Sequence, residues 1–256
     1  MSEESVSPHP SHYRRRSYRQ AAGAGDFSFE VRVEESDLWI SGLQTEYRSL
    51  AYERLLYYRN GLKVFLQRHP EWQDSLAPMA PSAYPLAPPL ARRMMAAAEV
   101  AGVGPMAAVA GALAEAVGRD LMALASELVV ENGGDIFLTG RSQYRLAIFA
   151  GTSPLSGSLG IRLSASAPFS CGVCTSSARV GHSLSFGRAD ALTIVADDTA
   201  LADAVATAMA NRVQKKKDLA RVVERALSVK GIRGAVAVLG SELAAGGELE
   251  LIDISS

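Results

Sequence analysis

The two cysteines of the chain form one motif, Cys171-Gly-Val-Cys174, and these thiols are the first groups that could carry chemistry. A C-x-x-C pair can be a redox couple, a persulfide carrier or half of a metal site, and it can equally be two small core residues on a strand. Two thiols alone do not complete a four-ligand structural zinc site. His182 follows in a polar passage beside Gly181, so we expect it to be accessible. The hydroxyl side chains of this passage are Thr175, Ser176, Ser177, Ser183 and Ser185.

A carboxylate and a hydroxyl form the second candidate. Asp203 and Thr207 are four residues apart in a helical pattern, which puts them on one face of the helix. Mg²⁺ prefers oxygen ligands, takes few of them from the protein and keeps water or phosphate in the rest of its shell. The pair therefore suits a magnesium site. The alternative is an acid favoured by the dipole of its own helix and a threonine bonded within that helix.

The third candidate is a glycine turn, Asn132-Gly133-Gly134-Asp135, between two apolar runs of β type. Two adjacent glycines allow positive φ angles and a close approach of the backbone. Asn-Gly is also the strongest short signal of a tight β-hairpin. The turn is therefore predicted either as a plain hairpin or as a hairpin that faces a ligand.

Composition and known motifs narrow the classes of function. The chain has 256 residues, of which 48% are hydrophobic and 21% charged, which is enough for a buried core. Its 26 lysines and arginines balance 27 acids, which argues against a nucleic-acid or anionic-membrane partner. The sequence has no Walker loop, GxSxG elbow, HExxH or dinucleotide-binding fingerprint. It shows neither a targeting segment nor an apolar run long enough to span a bilayer, so we expect a cytoplasmic protein.

The elements that position these candidates follow from hydrophobic periodicity. Alternating apolar residues predict a strand at 27–33 with a hairpin partner at 38–40. Helices are predicted over residues 45–68, 90–101, 105–124, 199–211 and 217–229. Short β-type runs are predicted at 128–130, 136–138, 144–149, 159–163, 169–174, 191–195, 235–239 and 249–254. Strands and helices segregate instead of alternating, which indicates an α+β fold in a single domain at 13–256, after a disordered tail at 1–12.

The order of the three candidates resembles the ApbE family of flavin transferases: a glycine turn, a serine-rich stretch with a histidine, then Ala-Asp-x-x-Ala-Thr on a helix. Over nearly its whole length the chain is similar to an uncharacterised branch of that family, the ApbE-like proteins of bacteria and archaea. The most specific passages are residues 101–112, 130–136 and 181–187. The resemblance implies an α+β, T-fold-like domain with helices packed on a mainly antiparallel sheet.

The resemblance also implies roles for the candidate residues. The family moves FMN from FAD onto a threonine or serine of a partner protein and needs Mg²⁺. Asp203 and Thr207 resemble its metal ligands, and His182 resembles a histidine linked to catalysis. The implied nucleotide pocket comprises Asn132, Gly133, Gly134 and Asp135, with Ser176, Ser177 and Ser183.

This chain departs from the family after His182, where Ser-Leu-Ser-Phe-Gly-Arg-Ala-Asp replaces the family's His-x-x-Asp-Pro-x-Thr-Gly continuation. We expect a protein that binds a phosphate-bearing small ligand, such as FAD or FMN with Mg²⁺, as a divergent transferase with a protein acceptor. Two other classes stay open. One is a sulfur-handling protein that uses Cys171 or Cys174 in thiol amino-acid synthesis. The other is a non-catalytic scaffold, a homo-oligomer in which the small-residue helices pack between subunits.

Overall fold

The computed structural model describes residues 27–141, 143–163, 169–177 and 187–255. In chain order its strands are β1 (Ser28–Val33), β2 (Ser36–Ser41), β3 (Leu128–Asn132), β4 (Asp135–Gly140), β5 (Tyr144–Ala147), β6 (Leu159–Leu163), β7 (Phe169–Ser176), β8 (Ala191–Ala196), β9 (Ile232–Leu239), β10 (Glu242–Gly247) and β11 (Glu250–Asp253). A larger sheet has the order β1-β2-β3-β4-β7-β8-β9-β10, and a smaller sheet has the order β11-β6-β5. The strand pairings described in both sheets are antiparallel.

Helices cover one face of the larger sheet. They are α1 (Arg48–Arg68), α2 (Pro89–Ala101), α3 (Val109–Leu121), α4 (Thr199–Ala210) and α5 (Leu219–Leu227). Helix α3 packs on β3 and β4, α4 on β7 and β8, and α5 on β9 and β10, while α2 packs against α4. Among the described residues no single helix is both long and apolar enough to cross a membrane; α2 and the segment Pro105–Leu124 meet that test only as a pair bent by 104°.

The smaller sheet covers the other face, so the central strands are buried on both sides. All six residues of β8 are buried. One apolar cluster joins the helices to the larger sheet through residues such as Val130, Phe137 and Ile194. A second cluster joins the two sheets through residues such as Leu138 and Ile161. Strands buried on both faces read as nearly continuous apolar runs, which is why they stand out in the sequence.

The predicted α+β architecture, with helices on an antiparallel sheet, is confirmed. Each predicted helix and strand is present with shifts of a few residues at its ends, and the helix predicted from residue 45 begins with a 3₁₀ turn at Thr45–Tyr47. Strand β10 was missed because Glu-Leu-Ala-Ala-Gly-Gly is poor in β-branched and aromatic residues; its pairing with β9 forms it instead. The predicted tail at 1–12 lies outside the described residues.

Candidate functional site

The glycine turn is a tight hairpin between β3 and β4. Gly133 and Gly134 both have positive φ angles, 73° and 105°, as a two-residue type I′ turn requires. The backbone N–H of Gly134 donates to Oε1 of Glu131 at 2.8 Å, so a carboxylate from the preceding strand holds the turn. The hairpin prediction is therefore confirmed, and the turn projects from the end of the sheet where β7 ends and β8 begins.

Asp203 lies on α4 and faces the beginning of α3. Its Oδ2 accepts the backbone N–H of Gly111 at 2.9 Å, although 92 residues separate the two. Burial raises the pKa of Asp203 to about 7, while the backbone N–H groups of Gly111 and Ala110 act to lower it. A Cβ atom at position 111 would lie 2.5 Å from the carbonyl oxygen of Thr199 and 2.9 Å from Cβ of Asp203. Glycine is therefore what allows the two helices to approach so closely.

The hairpin also contacts the beginning of α3. The side-chain amide of Asn132 donates to the carbonyl oxygen of Ala110 at 3.2 Å. Asp135, the partner of Asn132 across the turn, is also the strand partner of Cys174 on β7. Burial raises the pKa of the Cys174 thiol, and the carboxylates of Asp135 and Asp203 raise it further. The structure thus brings together four predicted residues: Asn132, Asp135, Cys174 and Asp203.

The two cysteines, in contrast, are separated. Residues three apart on a strand point to opposite faces of the sheet. Cys174 lies on the helix-covered face, and its Sγ donates to the carbonyl oxygen of Thr199 at 3.4 Å. Cys171 lies in the apolar cluster against the smaller sheet, where burial raises its pKa to about 12. The paired-thiol interpretation of C-x-x-C is therefore corrected: the spacing on a strand places the thiols back to back.

The remaining predicted residues lie around this centre or outside the described part of the chain. Thr207 is half-buried, one helical turn beyond Asp203 on α4. Ser176 ends β7 and pairs with Leu192, and the half-buried Ser177 follows it. Because side chains alternate along a strand, Ser176 shares the face of Cys174. His182 and Ser183 lie outside the described residues.

Glu115 is a central residue that sequence reasoning missed. It lies on α3, is 0% exposed, and its Oε2 accepts the backbone N–H of Thr199 at 2.8 Å. Helix N-termini leave backbone N–H groups unsatisfied, and carboxylates stabilise them. Helices α3 and α4 therefore cap each other: Glu115 of α3 binds the beginning of α4, and Asp203 of α4 binds the beginning of α3. The signal for Glu115 in the sequence was an acid within the apolar run Leu-Ala-Glu-Ala-Val.

Two arginines compensate the buried charge of Glu115. Nε of Arg119 donates to Oε1 of Glu115 at 2.7 Å, and Arg93 from α2 lies 3.3 Å from the same oxygen. Arg93 also contacts Asp198 at 3.1 Å, and Asp198 accepts the backbone N–H of Leu201 as the N-cap of α4. Among the described residues no cluster of three or more His, Cys, Asp or Glu side chains is suited to hold a metal ion.

The chain is similar to one family of known proteins. Residues 19–243 match the model of a family described as "AbpE bacteria". A "UPF0280 protein" of Methanosphaerula palustris is 45% identical over 213 residues, which cover 82% of this chain and 83% of the relative. A "UPF0280 protein" of Methanocella arvoryzae is 40% identical over 207 residues, which cover 80% of this chain and 83% of the relative.

The fold is also similar to that of a solved enzyme. A mutant of the flavin transferase ApbE from Vibrio cholerae aligns with a TM-score of 0.53 and 12% sequence identity. The alignment covers 86% of this chain and 96% of that chain. At this identity the likeness concerns the arrangement of helices and strands.

Proposed function

The chain belongs to the family described as "AbpE bacteria", and we propose that its helix-covered face binds a flavin nucleotide together with Mg²⁺ as the site of a divergent flavin transferase. One observation carries the proposal. The buried carboxylate of Asp203 lies against the beginning of α3, beside the glycine hairpin and Asn132. Two chain segments that resemble the flavin-transferase pattern, the glycine hairpin and the helix of Asp203, thus meet at the beginning of α3.

The side chains present fit a magnesium ion. Asp203 offers a carboxylate and Thr207 a hydroxyl from the same face of α4, and both are oxygen donors of the kind that Mg²⁺ prefers. Burial raises the pKa of Asp203, so a cation beside it would offset the cost of its buried negative charge. Mg²⁺ uses one or two protein carboxylates and completes its shell with water and phosphate oxygens. Asp203 and Thr207 would therefore hold the ion against the phosphates of the ligand.

The chemistry proposed is transfer of FMN from FAD to a hydroxyl of an acceptor protein. The acceptor oxygen forms a bond to the FMN phosphorus, the pyrophosphate bond of FAD breaks, and AMP leaves. A base must take the hydroxyl proton, and His182 is the candidate from the sequence. When bound, Mg²⁺ would neutralise the phosphate charge. Asn132 and Asp135 would position the nucleotide at the hairpin.

One comparison supports this assignment. The Vibrio cholerae protein that shares the fold is a flavin transferase. The alignment with this chain covers 83% of the length of each of the two family relatives. The names of those relatives state no activity, so the proposal depends on the convergence of residues at Asp203.

Titration of the full chain with FAD and FMN, followed by flavin fluorescence, tests the proposal. Binding is expected with Mg²⁺ and is expected to weaken strongly in EDTA. Asp203→Asn keeps an acceptor for the Gly111 N–H but removes the charge, so it should weaken binding by about tenfold or more. Thr207→Val should weaken binding less, because the hydroxyl oxygen that it removes is an uncharged ligand of the metal ion.

Asp190→Asn is the matched control. Asp190 is another buried aspartate, and its Oδ2 accepts the backbone N–H of Gly240, the residue after β9, at 2.7 Å. This variant should bind flavin as the unmodified chain does. Absence of flavin binding at every Mg²⁺ concentration, or equal binding by the Asp203→Asn variant, would contradict the proposal.

A further inference from the structure

A second concave site lies where α4 ends and α5 begins. It is a pocket of about 190 Å³ that three arginines line from two sides. Arg212 follows α4, while Arg221 and Arg225 are one turn apart on one face of α5. The other lining residues are Asn211, Gln214, Asp218 and Val222. None of them belongs to the proposed flavin site.

Among the described residues, no ion pair neutralises the positive charge of the three arginines in this pocket. Partial burial lowers the pKa of Arg212, and the neighbouring charges of Arg225 and Arg221 lower it further. Like charges are thus crowded together, an arrangement that a bound anion would relieve.

Asp218, the carboxylate in the lining, already accepts hydrogen bonds from the backbone. Its Oδ2 accepts the backbone N–H groups of Gln214 and Lys215, both at 3.0 Å. These hydrogen bonds lower its pKa and fix the turn that leads into α5. Its single charge opposes three guanidinium groups, so the pocket as a whole remains positive.

A larger cavity adjoins the arginine pocket and shares Gln214 with it. Its volume is about 410 Å³, and Arg188, Lys215 and Lys216 line it together with the carboxylate of Asp190, which accepts the backbone N–H of Gly240. Lys216 pairs with Glu242 at 3.3 Å, so part of this charge is balanced. The chain as a whole carries 26 lysines and arginines against 27 acids, so the positive excess is local and does not follow from composition.

The shape of the two cavities indicates the class of ligand. Guanidinium groups match the oxygens of phosphate with paired, charge-assisted hydrogen bonds. A pocket of about 190 Å³ is large enough to admit a phosphate group. We propose that Arg212, Arg221 and Arg225 form a metal-independent phosphate site for a small phosphorylated molecule, whose body occupies the adjoining cavity.

Calorimetric titration of the full chain with pyrophosphate in EDTA tests this site separately from the flavin site. Saturable binding of one pyrophosphate per chain is expected without any divalent cation. The double variant Arg221→Gln, Arg225→Gln should weaken binding by about tenfold or more, because each charge-assisted hydrogen bond contributes strongly. Glutamine is a good helix former, so α5 is expected to persist, and circular dichroism verifies this. Arg212→Gln, outside the helix, gives a second test that does not depend on α5.

Arg92→Gln, at an exposed helical arginine of α2, is the matched control and should leave binding unchanged. Asp203→Asn should also leave it unchanged, because this site needs no magnesium. Absence of saturable binding, or equal binding by the double variant, would overturn the proposal. Loss of binding in the Asp203→Asn variant would overturn it too, since the anion would then occupy the flavin site. Tighter binding of poly-glutamate than of pyrophosphate would overturn it in favour of an acidic protein partner.

Discussion

The two faces of strand β7 bury different kinds of side chain. On the helix-covered face, Cys174 lies beside Asp135 and Asp203 and donates to the carbonyl oxygen of Thr199. On the face toward the smaller sheet, Cys171 packs in an apolar cluster with residues such as Leu138. The same short motif therefore contributes one thiol to a polar centre and one to a dry core.

The difference follows from what covers each face. Helix termini present backbone groups that have no partner within the helix, so they can satisfy buried acids and amides. The N–H groups at the beginnings of α3 and α4 do this for Asp203 and Glu115. Asn132 adds a hydrogen bond to the carbonyl oxygen of Ala110 in the first turn of α3. Paired sheets have already used their backbone groups in strand ladders, so side chains between them are mostly apolar. We therefore expect the functional residues to lie where helices begin. Four predictions test this contrast between the helix-covered face and the face toward the smaller sheet.

The largest expected effect is the loss of Glu115. Glu115→Ala removes a fully buried carboxylate that binds two arginines and the first N–H of α4, and it should destabilise the protein by about 3–5 kcal/mol. Urea unfolding measures this. Glu53→Ala, at an exposed acid of α1, is the control and should change the stability by less than about 1 kcal/mol. A cost below about 1 kcal/mol for Glu115→Ala would show that mutual capping of α3 and α4 does not hold the helix-covered face.

The next effect concerns the close approach of α3 and α4. Gly111→Ala would force a Cβ to 2.5 Å from the carbonyl oxygen of Thr199, so the helices must separate, at a cost of about 2–4 kcal/mol. Gly61→Ala on α1 is the matched control, because nothing lies within 4 Å of the place that its Cβ would occupy and alanine favours helices; it should stabilise by about 0.5–1 kcal/mol. Thermal unfolding of both variants gives the comparison. Equal behaviour would contradict the tight contact.

Much of the fold and part of the site could be predicted from the sequence. Periodicity located the strands that are buried on both faces, and Asn-Gly-Gly identified the hairpin at residues 132–135. The contacts that assemble the site could not be predicted, because Glu115 and Thr199 are 84 residues apart, and Gly111 and Asp203 are 92 apart. Local propensity carries no information about such pairs. The sequence could also have separated the thiols, since residues three apart on a predicted strand must face opposite ways.

The two cysteines allow a direct test of the two faces. Cys171→Ser would bury a hydroxyl in the apolar cluster, which should cost about 1–3 kcal/mol. Cys174→Ser keeps the carbonyl oxygen of Thr199 as an acceptor and should cost less than about 1 kcal/mol. Chemical denaturation of both variants under one set of conditions gives the difference. A larger cost for Cys174→Ser would reverse the assignment of the polar and dry faces.

The smallest expected effect is the reaction of the two thiols with Ellman's reagent in the folded protein. Burial raises the pKa of both cysteines, to about 12 for Cys171, so each stays protonated at pH 8 and the nucleophilic thiolate is scarce. Ellman's reagent should therefore react very slowly with the native chain and release two equivalents only after unfolding in urea, which is the internal control. Fast reaction in the native state, assigned with the Cys171→Ser and Cys174→Ser variants, would revive a sulfur-handling role for the thiol that reacts. Slow reaction of both would indicate that Cys174 is a neutral neighbour of Asp135 and Asp203. Nearby negative charges disfavour the thiolate, so the two carboxylates keep the thiol protonated.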